Sequence, residues 1–109
     1  RALRNGRRLL LAAFSAYFQV LNLENEPTPF EFDLMTATRH ERTEIRNPQG
    51  GILEADLWTT CFTPRELWLM AESAGLEPLE IHSVHSGEDW KAESLDLNHA
   101  ELLLLARRP

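Results

Sequence analysis

Thr63-Pro64-Arg65-Glu66-Leu67-Trp68-Leu69-Met70-Ala71-Glu72-Ser73-Ala74-Gly75-Leu76 is the stretch on which the fold turns. Thr63 and Glu66 have the spacing of a capping box: the threonine hydroxyl accepts from a free amide of the first turn, and the glutamate reaches back to the threonine amide. Pro64 falls at the first helical position, where its missing N–H costs nothing. Leu67, Met70, Ala71 and Ala74 recur at i, i+3, i+4 and i+7, which predicts one buried stripe. Gly75 follows where a left-handed residue is wanted, and Leu76 folds back onto the helix end. The spacing predicts a helix over Pro64–Ala74.

Extended segments flank this helix. Leu9-Leu10-Leu11-Ala12-Ala13-Phe14 follows the Asn5-Gly6 turn signal and does not alternate, so a strand over Arg8–Phe14 covered on both faces is expected, as in a parallel sheet, with a buried helix turn as the competing reading. Leu79, Ile81 and Ser83 alternate with Glu80, His82 and Val84, and Glu101–Arg107 carries four consecutive leucines; both read as strands. The pattern dissolves over Val20–Phe32, where Asn22, Asn25, Pro27 and Pro29 mark an irregular connection or a short helical turn. Residues 37–46 and 52–60 surround Asn47-Pro48-Gln49-Gly50-Gly51 and read as a β-hairpin. Both of its arms read as polar, with Thr38, His40, Arg42 and Glu44 on one side and Arg39, Glu41 and Thr43 on the other, which places it at the periphery as a flap. Ser86–Asn98 reads as a polar loop.

Composition bounds the partners. The 109 residues are 43% hydrophobic and 26% charged, in the range of one ordinary globular domain. The formal net charge of −6, with basic residues concentrated at the start in Arg1, Arg4, Arg7 and Arg8, argues against nucleic acid, whose binding requires a basic face. The longest apolar runs, Leu9–Phe14 and Leu102–Ala106, fall short of the ~20 residues of a membrane span, so no membrane partner is expected. No signal peptide is evident, and a cytoplasmic protein is expected. The lone Cys61 permits no internal disulfide and reads as a small buried hydrophobe. His82 and His85 point to opposite faces of a strand and His99 lies in a loop, so no metal-ligand set is expected.

The order strand, polar hairpin, helix, strand, loop, strand, with these residues, resembles the C-terminal half of a class I S-adenosylmethionine-dependent methyltransferase. Arg1 to Leu11 is similar to the segment that enters the family's fifth strand, with Asn5-Gly6-Arg7 in place of the usual Pro-Gly-Gly turn. Phe62-Thr63-Pro64-Arg65-Glu66-Leu67 through Ala74-Gly75-Leu76 is similar to the helix that follows, and Glu101 to Pro109 to the closing antiparallel strand. The resemblance implies an α/β fold, the C-terminal half of a Rossmann-like methyltransferase sheet, in which residues 1–109 form the substrate-side part and the hairpin is an insertion at about residues 37–60. It also implies S-adenosylmethionine as cofactor, bound in the N-terminal half. No G-x-G-x-G is present, and Gly50-Gly51 sits in a hairpin turn, so the chain alone is not expected to hold the cofactor. It reads as a fragment, or as a piece completed by another chain, and self-association or packing with that other half is expected.

Candidate site residues follow from where ligands bind in such sheets, beyond the carboxyl ends of parallel strands. Phe14, Ser15, Ala16 and Tyr17 fall there, and Phe14, Ser15 and Tyr17 are taken as acceptor-binding; packing of the sheet edge is the competing reading. His40, beside Glu41 and Arg42 on the hairpin, is the candidate general base for an acceptor hydroxyl or amine, against a simply solvated flap. Arg42 and Trp58 are candidates for orienting the acceptor, as is Trp90 for capping an aromatic one. Trp68 lies off the helix stripe, towards the hairpin or a partner. The expected reaction is methyl transfer to a small-molecule acceptor. The alternatives are a non-catalytic binding or dimerisation module of α/β type, or another doubly wound enzyme such as a reductase, which would need a dinucleotide loop.

Overall fold

The computed structural model describes residues 3–25, 30–85 and 94–109. Eight elements run in chain order: β1 Arg8–Ser15, α1 Ala16–Leu21, β2 Glu31–Asp33, β3 Thr38–Arg46, β4 Ile52–Phe62, α2 Pro64–Ser73, β5 Glu77–Val84 and β6 Glu101–Arg107. The six strands form a curled sheet in the order β2-β3-β4-β1-β6-β5. β6 is antiparallel to both β1 and β5, so β1 and β5 run in the same direction. β4 is parallel to β1 but pairs with it only at Phe14↔Cys61 and Ser15↔Phe62, and then diverges into the hairpin. No helix among the described residues is long and apolar enough to cross a membrane.

The helix signals act as read. Thr63 Oγ1 accepts from the Glu66 amide at 3.1 Å, and Glu66 Oε1 accepts from the Thr63 amide at 2.9 Å. Gly75 has φ +81°, the left-handed conformation that ends the helix, and the Leu76 amide donates to the Ala71 carbonyl. The buried stripe is narrower than the periodicity predicts. Leu67 and Ala71 are buried, whereas Met70 and Ala74 are exposed. Leu67 and Ala71, four residues apart, form a single seam over Leu102, Leu104 and Ala106, and the helix contacts only β5 and β6 to any extent.

That seam explains a second departure. β1 is expected to be covered on both faces, yet Leu10 is 63% exposed and Leu11 43%. Side chains alternate across a strand, so Ala13 joins the α2 core while Leu10 points to the opposite face, over which no helix lies among the described residues. The region read as irregular also acquires structure. Ser15 caps the short helix α1 by accepting from the Phe18 amide at 3.3 Å, and the three residues of β2 pair with β3.

The hairpin matches its reading closely: β3 and β4 pair over nine positions, from Thr38↔Thr60 to Arg46↔Ile52. At its tip Asn47 Oδ1 accepts from the Gln49 and Gly51 amides, and Gly50 turns with φ +84°. The arms are less polar than expected: one hairpin face carries the exposed apolar residues Ile45, Leu53 and Leu57, because alternate positions of both arms fall on that face. Cys61, at the hairpin base, is buried as expected, and burial pushes its thiol pKa up.

Candidate functional site

Two anchors fix the hairpin against β1. The short β1–β4 pairing holds its base, and Arg39 locks it to α1. The Arg39 guanidinium lies 4.0 Å over the Phe30 ring, donates to Gln19 Oε1 at 2.7 Å and donates to Glu41 Oε2 at 2.9 Å. Gln19 is itself buried. This cross-link ties the first arm of the hairpin to α1, while the β1–β4 pairing holds the second arm beside the carboxyl end of β1.

His40 and Trp58 are directly opposed in the β3–β4 register, on the face away from Ile45 and Leu53. Their rings stack, with centroids 3.7 Å apart and planes 4° from parallel. Arg42 and Asp56 oppose one another two residues further along, so Asp56 is diagonal to His40 and within its reach. His40 Nε2 lies 2.8 Å from Asp56 Oδ1, and Nδ1 lies 3.8 Å from Glu31 Oε2. The bond from His40, with a further contribution from Arg42, holds the Asp56 carboxyl below its ordinary pKa. Asp33 is held low as well, because its carboxylate accepts from the Thr36 and Met35 amides in the turn between β2 and β3.

Three clefts surround the stacked pair. A cleft of about 400 Å³ is lined by His40, Trp58, Glu31, Phe32, Asp33, Thr36 and Thr38. A smaller one, about 270 Å³, is lined by His40, Phe30, Glu31, Glu41 and Arg42. The third, about 600 Å³, opens where β1 and β4 diverge, between Ala12, Ala13, Phe14, Trp58, Phe62 and Glu101. Trp58 therefore borders both the His40 cleft and the cleft at the end of β1.

The sequence-derived site residues separate under this geometry. Phe14 and Trp58 share the β1–β4 cleft, and His40 and Trp58 share the neighbouring one. Arg42 borders the small cleft but is exposed and turned towards Glu54 and Asp56, at 3.6 and 3.4 Å. Ser15 lines none of the three clefts: it is buried, and its hydroxyl is used in capping α1. Tyr17 is half exposed on α1 and borders none of the three clefts. Trp90 lies outside the described residues. Trp68 faces neither the hairpin nor its clefts; it lines an apolar groove of about 590 Å³ between α2 and β5 that shares no residue with them.

A further cluster escaped the sequence reading. His85 follows β5 and His99 precedes β6, and the antiparallel β5–β6 pairing brings them together with their Nε2 atoms 3.1 Å apart. His99 is buried, and its Nδ1 lies 2.6 Å from Asp96 Oδ1. That contact holds the Asp96 carboxyl below its ordinary pKa. The cluster adjoins the carboxyl end of β1, where the Ser15 amide donates to the Ala100 carbonyl. The 14-residue separation hid it, because only strand pairing closes that distance. Among the described residues no group of three or more His, Cys, Asp and Glu side chains is arranged to hold a metal ion.

No family model matches the chain, and no curated protein matches it in sequence. Solved structures do match its fold. The CcbJ methyltransferase from Streptomyces caelestis is similar with a TM-score of 0.71 at 23% identity, over 98% of this chain and 48% of that one. An S-adenosylmethionine-dependent methyltransferase from Clostridium acetobutylicum ATCC 824 is similar with a TM-score of 0.67 at 9% identity, over 96% of this chain and 46% of that one. The chain thus spans about half the length of each of these two structures. It has the α/β fold of about half of an S-adenosylmethionine-dependent methyltransferase, in agreement with the fold class read from its sequence.

Proposed function

We propose that the chain is the C-terminal, acceptor-side part of an S-adenosylmethionine-dependent methyltransferase, and that His40 takes the proton from a hydroxyl or amine of a small-molecule acceptor. The observation that carries this reading is the stacked His40–Trp58 pair. Trp58 of that pair lines the cleft at the carboxyl end of β1 and His40 lines the neighbouring cleft that Trp58 shares, on a fold shared with two methyltransferases. Ligands of open α/β sheets bind at that end of the strands. Trp58 and Phe14 offer aromatic surface to the acceptor body, and Arg42 lies at the rim of the adjoining small cleft.

The described residues do not fit the cofactor. Gly50 and Gly51 belong to the hairpin turn, and Gly6 and Gly75 turn the chain facing open space, so none of these four forms a glycine-rich loop after a strand that would let the cofactor approach the backbone closely. The reading therefore assigns the cofactor to the other half of the fold and acceptor handling to this one. Packing of that half against the open face of β1 accounts for the exposure of Leu10.

Two measurements test the reading. Titration calorimetry of this chain with S-adenosylmethionine is expected to show no binding; micromolar affinity would overturn the division of labour. In the full-length protein, methyl transfer from S-adenosylmethionine is assayed over a panel of small hydroxy and amino acceptors. There, His40→Gln is expected to lower kcat by about 10²–10⁴-fold with little change in KM, the usual contribution of a general base. An unchanged kcat would remove His40 from the chemistry.

A further inference from the structure

We propose that Asp56 is a positioning residue for His40: its carboxylate holds the imidazole as the Nε2–H tautomer and leaves the Nδ1 lone pair on the Glu31 side, facing the clefts. The proposal rests on the reading of His40 as the acceptor's base and adds what selects the basic nitrogen. Neutral imidazole carries its proton on either nitrogen, and the hydrogen bond made by one decides the role of the other.

The stack on Trp58 fixes the plane of the His40 ring, with 4° between the two planes, but not its orientation within that plane. A half-turn about the Cβ–Cγ bond leaves the stack intact and exchanges the positions of the nitrogens with those of ring carbons. The 2.8 Å contact from Nε2 to Asp56 Oδ1 distinguishes the two orientations and requires a proton on Nε2 when the ring is neutral. Among the described residues no other charged neighbour competes for that role. Glu31 on β2 stands 3.8 Å from Nδ1, beyond hydrogen-bond range. On β3, Glu41 is bound by Arg39, and Arg42 is a cation turned towards Asp56 and Glu54. Nδ1 is thus the nitrogen with a free lone pair, on the side where Glu31 and His40 line both adjoining clefts. When an acceptor O–H or N–H gives its proton to Nδ1, the bonding electron pair stays on the acceptor atom, and Asp56 balances the new imidazolium charge.

The test is nitrogen-15 NMR of the His40 ring in the labelled chain at a pH where the imidazole is neutral. It compares the wild type with Asp56→Ala, Asp56→Glu and Glu54→Ala. The expected result is a dominant Nε2–H form in the wild type and loss of that dominance in Asp56→Ala. Restoration in Asp56→Glu is expected, with no change in Glu54→Ala, which removes a hairpin carboxylate that does not touch His40. A dominant Nδ1–H form in the wild type overturns the proposal, whether or not the variants fold. So does an unchanged spectrum in Asp56→Ala. These readouts need no methyl transfer, so a fully active His40→Gln protein would defeat the general-base reading while leaving the tautomer result standing on its own.

Discussion

Replacing Thr63 by alanine isolates the local signal from which α2 was read. Two reciprocal bonds close the box: Thr63 Oγ1 with the Glu66 amide at 3.1 Å, and Glu66 Oε1 with the Thr63 amide at 2.9 Å. The substitution deletes the first and leaves the second available, because alanine keeps its backbone N–H. Loss of a threonine cap costs about 1 kcal/mol, with about 0.5 to 2 as the observed span. Both bonds are exposed, so water takes up the freed Glu66 amide, and about 1 kcal/mol is the expected figure. A ten-residue helix is marginal alone, so the loss passes to the seam that Leu67 and Ala71 make with β6. For a chain of this size the midpoint of thermal unfolding should fall by roughly 4–8 °C. Denaturation of wild type, Thr63→Ala, Thr63→Ser and the Thr63→Ala/Glu66→Ala pair measures it, with serine retaining nearly all the stability. A Thr63→Ala protein within about 0.3 kcal/mol of wild type, well under the usual cap contribution, would refute the account of what starts this helix.

Gly75→Ala meets no atom within 4 Å, so its cost should be conformational only, about 1–2 kcal/mol for a left-handed alanine, measured by the same denaturation series. Leu104→Ala, at a residue 2% exposed under α2, should cost about 2–5 kcal/mol; a loss below about 1 would show that the seam is not the core. The Asp96 carboxyl is held low chiefly by the bond from His99. A depressed carboxylate contributes stability that is present above its unfolded pKa of about 3.9 and lost as pH falls through the folded value. Urea midpoints followed down through that range should decline more steeply for wild type than for Asp96→Asn, and parallel curves would count against the contact. Trp58→Ala in the full-length protein should both raise the KM for the acceptor and lower kcat, because it removes a binding surface and the stack that fixes the plane of the His40 ring.

Much of this molecule is decided locally, and that part was legible in the chain. The α2 boundaries follow from Thr63, Pro64, Glu66 and Gly75, whose effects act within one helical turn. The hairpin follows from the turn chemistry of Asn47 to Gly51, and β6 from its run of leucines between short polar ends. What the sequence left open depends on which surfaces meet. Periodicity marks Met70 and Ala74 as candidates for burial, but the extent of the sheet beneath the helix decides, and the seam takes only Leu67 and Ala71. Ser15 reads as a pocket residue until its hydroxyl is seen to start α1. His40 stands out as an isolated base, while its partner Asp56, sixteen residues away, is supplied by strand register. The Asp96–His99–His85 cluster arises in the same way from the pairing of β5 with β6. Helix caps and turns bond within a few residues and so are written in the order of the chain; the groups that define a site converge only when the sheet sets their register.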